Sequence, residues 1–380
     1  MASSRGVESH SPDYMLLAIV GALVTVGLQG VYSASFGLGL QEYGDANYFL
    51  VRQGMWTAIG LVLLFVLMRI DYHRWKALSP WMMLATLGAL LVVLVPGLGV
   101  TTYGATRWLN LPFLSVQPSE VAKLTLIIYV SAWLAGRGER LKAVAGGILP
   151  FVLILSLVGG LVMLQPDTGT TVVMVLTTAT LFFLAGANLL HLTALGLAGA
   201  GAGSLLISLA PYRLIRMESF LHPELDPQGK GFHIIQLLIA MGSGGIMGRG
   251  IGESRQKFFY VPGSHTDGIF AILGEEVGFI GSMLVLALFV ALAYRSFKVV
   301  LEAPDDFGAL LAAGVVCWIG YQTLINIGGI TRSLPLTGIP LPFLSYGGSA
   351  LAASLGAVGI LLSVSRYTAK GLRGSFDRSR

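Results

Sequence analysis

The chain has 380 residues, of which 54% are hydrophobic and 11% are charged, and its formal net charge is +5. Soluble domains usually carry about 25% charged residues, so this composition excludes a water-soluble globular protein. The single cysteine, Cys317, excludes an internal disulfide. No stretch is basic and aromatic in the way of single-strand binders, and we expect no nucleic-acid partner.

Ten apolar segments are long enough to cross a bilayer. A spanning helix needs about 20 mainly apolar residues, and the backbone inside lipid must satisfy its own polar groups. We therefore predict an all-α integral membrane protein with about ten transmembrane helices. The first run is too long, and its leading segment too poor in basic residues, for a cleaved signal peptide. The predicted spans are 14–33, 51–70, 79–97, 118–136, 144–164, 170–187, 190–210, 269–294, 307–328 and 349–365.

Basic residues are unequally divided between the two predicted sides of the membrane. The short loops opposite the N-terminus carry only Arg52, Arg107 and Arg332. Short cytoplasmic loops are enriched in Lys and Arg, so both tails, 1–13 and 366–380, are predicted to be cytoplasmic. The fourteen basic residues on the N-terminal side are Arg5, Arg69, Arg74, Lys76, Arg137, Arg140, Lys142, Arg295, Lys298, Arg366, Lys370, Arg373, Arg378 and Arg380.

One connection is much longer than the others. Residues 211–266 lie between the seventh and eighth predicted spans, on the outer side. Long loops on a rigid scaffold are a common place for binding and catalytic residues. The chain has no internal repeat and no separate soluble domain, so residues 1–380 are predicted to form one membrane domain.

Two charged residues open the fourth predicted span. Glu120 and Lys123 are three residues apart, which places them on one helix face. Charges inside spans are costly and are therefore candidates for function. The pair either neutralises itself and anchors helix packing, or Lys123 offers an ammonium to a phosphate near the outer surface.

A turn joins the fifth and sixth predicted spans on the outer side. Its sequence is Gln165-Pro166-Asp167-Thr168-Gly169-Thr170. Pro and Gly favour a turn, and Asp167 suits the N-cap of the next helix. A functional role for Asp167 is the alternative interpretation.

The long outer segment contains two further patterns that suit phosphate. Arg213 and Arg216 are three residues apart and either clamp a pyrophosphate or belong to an interfacial belt. The segment from Gly242 to Gly252 is rich in glycine. Glycines let a backbone approach a phosphate, but in membrane proteins they more often permit close packing.

Two segments near the outer ends of the last spans contain unusual polar residues. His265-Thr266-Asp267 precedes the eighth span, and Asp267 suits a general base, a metal ligand or a helix N-cap. Residues 336–349 contain Pro340, Pro342 and Ser345. The prolines prevent a regular helix, so we expect a re-entrant or cavity-lining loop.

Taken together, these motifs resemble the SEDS family, which includes RodA, FtsW and SpoVE, and the match is more FtsW-like than RodA-like. The resemblance implies a ten-helix protein of the bacterial cytoplasmic membrane that polymerises lipid II in cell division or elongation. It also implies a class B penicillin-binding protein and other cell-wall synthesis proteins as partners. The matching segments are Tyr32-Ser33-Ala34-Ser35, Arg107-Trp108, Gln117-Pro118-Ser119-Glu120, the Asp167 turn, 242–252, His265-Thr266-Asp267, Glu275-Glu276-Val277-Gly278 and 337–349.

The resemblance assigns roles to individual residues. Asp267 matches the essential aspartate of the family and is expected to be the base toward the acceptor sugar. Its alternative role is to hold a divalent cation, magnesium or manganese, that stabilises the leaving pyrophosphate. The expected substrate-binding residues are Arg107, Glu120, Lys123, Asp167, Arg213, Arg216, His265 and Ser345.

Two residues beside Asp267 depart from the family pattern. The family usually has Glu at the position of Gly263 and Phe at the position of Gly268. Two other functions are therefore kept as alternatives. A lipid II transporter would use the same charged residues within its spans, and a non-catalytic scaffold of the cell-wall machinery would not need Asp267.

Overall fold

The computed structural model describes residues 10–102, 105–110, 115–258 and 260–367. Most of these residues are helical. A 3₁₀ turn, Gly138–Lys142, and a π-helical turn, Val144–Ile148, precede α5. The helices are α1 Tyr14–Tyr43, α2 Tyr48–Arg69, α3 His73–Leu94, α4 Pro118–Leu134, α5 Leu149–Leu164, α6 Thr168–Leu184, α7 Leu189–Leu209, α8 Pro211–Leu221, α9 Phe232–Ser243, α10 Ile269–Glu302, α11 Asp306–Ile330 and α12 Gly348–Ser365.

Every predicted span falls on a helix of the structure. Seven helical segments of the described chain are long and apolar enough to cross a membrane, namely α1, α2, α3, Val144–Leu164, α10, α11 and α12. The chain is therefore a multi-pass membrane protein. Three predicted spans fall on α4, α6 and α7, which lie outside that group, so ten crossings remain a prediction.

An all-α fold predicts only irregular backbone between α3 and α4, but the observed connection contains strands. It forms a small antiparallel sheet from β1 Gly99–Thr102, β2 Ala105–Asn110 and β3 Ser115–Val116, in that order. Its strands contain valine, threonine and tryptophan, residue types that favour strands. The hydropathy pattern identified the spans on either side and missed this short element.

The long outer segment is also more ordered than a loop. It contains α8 and α9. In α9, Ile234, Leu237 and Ala240 are buried at a spacing of three residues, which is one helix face. This face packs on α10. The helix is too short for a span and was therefore hidden within the predicted loop.

The centre of the bundle is formed by α11 and α12, which are the most buried of the candidate spans. Small residues allow α12 to approach α2 closely. A Cβ on Gly359 would lie 2.7 Å from the carbonyl oxygen of Leu64, and one on Gly60 would lie 2.5 Å from Leu355. These close contacts hold α2 and α12 together.

Gly278 interrupts α10 with φ 67° and ψ −167°. The glycine-rich segment packs against this break, backbone against backbone. The Phe279 N–H donates to the Gly245 carbonyl at 2.9 Å, and the Arg249 N–H donates to the Glu275 carbonyl at 3.0 Å. The segment therefore serves close packing, as the second interpretation of its glycines predicted.

We expect Gly248→Ala to destabilise the folded chain. Gly248 has φ +82°, and an added Cβ would lie 2.2 Å from the Glu276 carbonyl oxygen. The left-handed backbone alone costs a residue with a side chain roughly 1–3 kcal/mol, and the collision adds to that cost. The measurement is thermal unfolding of the purified protein in detergent.

The matched control is Gly242→Ala in the same segment. No heavy atom lies within 4 Å of the Cβ position of Gly242, and alanine is the better helix former. This variant should melt at or above the wild-type temperature. Equal melting temperatures for the two variants would contradict the packing role of Gly248.

Candidate functional site

A cavity of about 660 Å³ contains Asp267 in its wall. We call it the Asp267 cavity. It lies between the C-terminal end of α1, the start of α2, α9 and the segment before α10. Its lining includes Leu38, Glu42, Tyr43, Phe49, His233, Lys257 and residues 261–267. The cavity is at the end of the helices that the charge distribution assigns to the outer side.

The Asp267 side chain does not cap α10. The N-cap of that helix is Gly268, which makes no side-chain cap hydrogen bond. Instead, Oδ1 of Asp267 accepts a hydrogen bond from the Thr266 hydroxyl at 3.0 Å. Oδ2 accepts none from the described residues. The N-cap interpretation is therefore wrong, and one carboxylate oxygen remains open to a further partner.

The backbone of Asp267 is held from α11. Asn326 donates through Nδ2 to the Asp267 carbonyl at 3.0 Å and to the Ile339 carbonyl at 2.8 Å. A single buried amide therefore connects the Asp267 segment to the proline-containing segment 336–347. This contact fixes the position of Asp267 relative to the membrane helices.

The two glycines that depart from the family pattern lie beside Asp267. Gly263 has φ +65°, and a Cβ there would lie 2.4 Å from Asp267 Oδ1. Its carbonyl accepts hydrogen bonds from the N–H groups of Thr266 at 2.9 Å and Gly268 at 3.0 Å. The chain therefore turns tightly around the carboxylate. A side chain at position 263 requires the carboxylate to move.

His265 packs between two aromatic rings. Its ring centroid is 4.7 Å from that of Phe49 and 5.4 Å from that of Tyr346. Burial lowers the pKa of His265 to about 4, so the ring is neutral near pH 7. Its carbonyl accepts a hydrogen bond from the Tyr346 N–H at 2.8 Å. The residue thus ties the Asp267 segment to the 336–347 segment, and substrate binding by His265 stays a prediction.

Ser345 holds a turn in the 336–347 segment. Its hydroxyl oxygen accepts a hydrogen bond from the Leu341 N–H at 2.7 Å, and its carbonyl accepts one from Gln53 Nε2 at 3.1 Å. The side chain is buried. The segment is irregular, as its prolines predicted. Side chains of α2 and α11 donate hydrogen bonds to its carbonyl groups.

Glu120 and Lys123 form a buried ion pair in α4. Lys123 Nζ lies 2.8 Å from Glu120 Oε2, and the side chains are 3% and 2% exposed, respectively. Lys123 also donates to Gln322 Oε1 at 2.7 Å. Gln322 in turn donates to the Pro340 carbonyl at 2.8 Å. The pair is therefore linked to the 336–347 segment through α11.

Asp167 and Arg107 act on the outer ends of neighbouring helices. Asp167 caps α6 by accepting from the Thr170 N–H at 3.2 Å, which confirms the cap interpretation. It also accepts from Gln117 and Ser119 at the start of α4. Arg107 donates to the Gln165 carbonyl at 3.0 Å and to the Pro166 carbonyl. Substrate binding by either residue remains a prediction.

The two arginines of α8 have different surroundings. Arg216 donates to the Thr337 carbonyl at 3.3 Å, and its charge acts on His233 in the cavity wall. The Arg213 guanidinium lies 5.1 Å from the centroid of the Tyr212 ring. Arg216 therefore contacts the 336–347 segment, and its charge acts on the wall of the Asp267 cavity.

Sequence reasoning missed three polar residues of the cavity wall: Glu42, His233 and Lys257. Lys257 makes a buried ion pair with Glu276 at 3.2 Å and donates to the Ser33 hydroxyl at 3.0 Å. In the sequence, His233 is recognisable only as a histidine inside an apolar run. Such a histidine is usually a core residue, and only the tertiary structure places it beside Asp267.

Comparison with known proteins identifies relatives over nearly the whole chain. The FtsW/RodA/SpoVE family, described as cell cycle proteins, matches residues 13–370. Stage V sporulation protein E of Bacillus subtilis is 44% identical, covering 95% of this chain and 99% of the relative. A probable peptidoglycan glycosyltransferase FtsW of Geobacter sp. is 40% identical, covering 95% of this chain and 98% of the relative.

Solved structures with a similar fold indicate the same family. A structure described as the structural coordination of polymerization and crosslinking by a peptidoglycan synthase complex has a TM-score of 0.75 and 31% identity, covering 93% of this chain and 98% of that chain. The rod shape determining protein RodA of Thermus thermophilus has a TM-score of 0.70 and 29% identity, covering 93% and 97%. This chain therefore belongs to the FtsW/RodA/SpoVE family.

Proposed function

We propose that this chain is a peptidoglycan glycosyltransferase that polymerises lipid II at the outer face of the bacterial cytoplasmic membrane. Relatives named as probable peptidoglycan glycosyltransferases support this activity. The structural observation that carries it is the Asp267 carboxylate, which lies in the wall of a 660 Å³ cavity with Oδ2 unbonded by the described residues. The cavity lies at the end of membrane helices, where a lipid-linked sugar is accessible.

The proposed reaction forms one glycosidic bond. The acceptor GlcNAc hydroxyl oxygen bonds to the anomeric carbon of the donor sugar, while the bond from that carbon to the pyrophosphate oxygen breaks. The polyprenyl pyrophosphate leaves with the electron pair, and the hydroxyl proton passes to Asp267. A positioned carboxylate base of this kind contributes about 10²–10⁴-fold to rate.

Positive charge next to the cavity suits the leaving pyrophosphate. Arg216, whose charge acts on His233 in the cavity wall, is the first proposed source of it, whereas Lys257 in the same wall is already paired with Glu276. Arg213 lies on the same helix as Arg216 and is proposed as a second ligand. Arg107 and Lys123 also stay proposed ligands, although the structure engages Arg107 with carbonyl groups and Lys123 with Glu120.

We propose that a divalent cation binds together with the substrate, held mainly by its pyrophosphate. Among the described residues, no group of three His, Cys, Asp or Glu side chains is placed to hold a metal ion, so this part of the chain offers no complete ligand set of that kind. Magnesium is often held mainly by phosphate oxygens and water. Such an ion would neutralise the pyrophosphate, and removal of divalent ions with EDTA would then lower the polymerisation rate.

The proposed partner is a class B penicillin-binding protein, working with other cell-wall synthesis proteins in division or elongation. A solved synthase complex that coordinates polymerization and crosslinking supports such an assembly. We propose that both termini are cytoplasmic, because fourteen basic residues lie on their side of the predicted spans. Lipid II would then reach the Asp267 cavity from the outer leaflet.

We expect Asp267→Asn to abolish glycan-chain formation from purified lipid II. The amide keeps the size of the side chain and cannot accept the hydroxyl proton, so the rate should fall about 100-fold or more. The control is Glu253→Gln, which changes an exposed carboxylate in the same outer segment. It should polymerise at the wild-type rate.

Normal polymerisation by folded Asp267→Asn would refute Asp267 as the base. A vesicle assay separates the transporter alternative. Wild-type protein that moves lipid II across the bilayer without making glycan would be a transporter and not a polymerase.

Lys123→Met should strongly destabilise the folded protein, because it leaves Glu120 buried without a counter-charge. Breaking a buried pair costs about 3–5 kcal/mol. The double variant Glu120→Gln/Lys123→Met should regain most of the lost stability. Thermal unfolding in detergent measures both effects.

Lys142 and Glu139 provide a matched control. They have the same spacing and the same 2.8 Å distance, but are 56% and 84% exposed. Lys142→Met should cost less than about 1 kcal/mol. If Lys123→Met is as mild as Lys142→Met, the ion pair does not hold the bundle.

A further inference from the structure

Tyr43 is the last residue of α1 and lies in the wall of the Asp267 cavity. The helix ends there because Gly44 adopts a left-handed conformation with φ 68°, a common way to terminate a helix. Tyr43 is 50% exposed, so a molecule in the cavity can reach its ring. Neither proton transfer to Asp267 nor departure of the pyrophosphate gives this ring a task.

Neighbouring rings fix the orientation of Tyr43. Its ring is stacked on that of Tyr48, with centroids 3.6 Å apart and an angle of 8° between the planes. The Arg52 guanidinium lies 4.4 Å from the centroid of the Tyr48 ring. Phe49 stands nearly perpendicular to both tyrosines, at 5.7 Å from Tyr43 and 5.2 Å from Tyr48. Because these two distances are similar, Phe49 contacts the side of the stack and leaves the second face of Tyr43 uncovered.

The same aromatic group connects Tyr43 to the Asp267 segment. Phe49 also lines the cavity, and its ring centroid is 4.7 Å from that of His265. His265 precedes Asp267 by two residues. A ligand that meets the free face of Tyr43 therefore lies in the same cavity as the Asp267 carboxylate.

The cavity wall combines an aromatic face with carboxylates, since Glu42 lies beside Tyr43 in the same lining as Asp267. A pyranose ring presents C–H groups on its face and hydroxyl groups around its edge. The C–H groups pack on an aromatic ring, and the hydroxyls donate hydrogen bonds to carboxylates. A polyprenyl chain has no donor for these groups, and burying them against it would be costly. The wall therefore matches a sugar better than a lipid tail.

We propose that Tyr43 is a substrate-binding residue on whose free ring face a sugar ring of lipid II stacks, in the same cavity as the hydroxyl that Asp267 deprotonates. The inference rests on the proposed function. Tyr48 and Phe49 already hold the Tyr43 ring, so little side-chain ordering is needed when the sugar binds. The contact transfers no proton, and its effect is on substrate affinity and orientation.

The test compares Tyr43→Leu with Tyr43→Phe. The probe is a lipid-linked disaccharide without the pentapeptide. Leucine removes the flat ring, so affinity for this probe should fall about tenfold, equivalent to about 1.4 kcal/mol and within the range of aromatic contacts. Phenylalanine keeps the ring and should bind like wild type. The control is Tyr260→Leu, which changes an exposed tyrosine of the outer segment outside the cavity lining and should leave the affinity unchanged.

A second probe, polyprenyl pyrophosphate without sugars, separates sugar binding from anchoring in the membrane interface. Tyr43→Leu should bind this probe as wild type does. All affinities are measured in the Asp267→Asn background, where no turnover is needed, so a tenfold loss for the disaccharide alone supports the inference even if the wild type makes no glycan.

Four results would overturn the role of Tyr43. They are unchanged affinity of Tyr43→Leu for the lipid-linked disaccharide, equal losses for the two probes, equal losses for Tyr43→Leu and Tyr43→Phe, and no binding of the disaccharide at all. Each of them leaves the polymerisation test of Asp267 unaffected.

Discussion

A buried ammonium group needs a counter-charge, and backbone carbonyls buried at membrane depth need donors. In this chain one helix meets both requirements. Gln322 of α11 accepts from Lys123, which Glu120 neutralises, and donates to the Pro340 carbonyl. One turn further along, Asn326 donates to the carbonyls of Ile339 and Asp267. The 336–347 segment therefore stays in place although it forms no helix of its own.

Some residues that are connected to the candidate site lie far from it, and the polar face of α11 provides the connection. Trp318, Gln322 and Asn326 follow at intervals of four residues, so they lie along one side of α11. The Trp318 indole N–H donates to Gln322 at 2.7 Å and fixes the orientation of that amide. A disturbance at Lys123 can reach Asp267 through this series of contacts. Glu120 and Lys123 are therefore connected to the Asp267 segment through α11.

The outer segments also satisfy their buried polar groups, here mainly by pairing backbone with backbone. Glycines 244–250 place backbone against the broken part of α10, where N–H and carbonyl groups pair directly. Glu275 accepts hydrogen bonds from the Ser254 hydroxyl at 2.6 Å and from the N–H of Gln256 at 3.1 Å. The part of the outer segment from 244 to 256 is therefore held at several points. A fixed carboxylate can act on a substrate without first paying for ordering of its own loop.

Hydropathy was sufficient to locate the helices of the predicted spans, because lipid leaves a long apolar run few alternatives to helix. It did not give their ends. The first predicted span stops at residue 33, but α1 continues to Tyr43 and ends at Gly44 in a left-handed conformation, since a helix can extend beyond the hydrocarbon until a residue terminates it. The break at Gly278 was not predicted either, because a single glycine is tolerated inside a helical pattern.

The motifs indicated Asp267 and the family, but not Asn326, which holds the Asp267 backbone, or His233, which lines the same cavity. Asn326 is a single amide within an apolar span, and His233 is a single histidine in a short apolar helix. Nothing in their neighbouring sequence distinguishes them from core residues. Their importance comes from long-range contacts, with partners 59 and 13 residues away in the case of Asn326. Only the folded chain brings those partners together.

The most direct test of this account is the kcat for lipid II polymerisation by Asn326→Leu, compared with Thr323→Val on the same helix. Both are measured at a temperature at which thermal unfolding shows the variants to be folded. We expect Asn326→Leu to lower kcat about tenfold or more, because a misplaced reacting group can cost 100-fold, while Thr323→Val stays near wild type. A wild-type kcat for Asn326→Leu would contradict the claim that α11 positions Asp267.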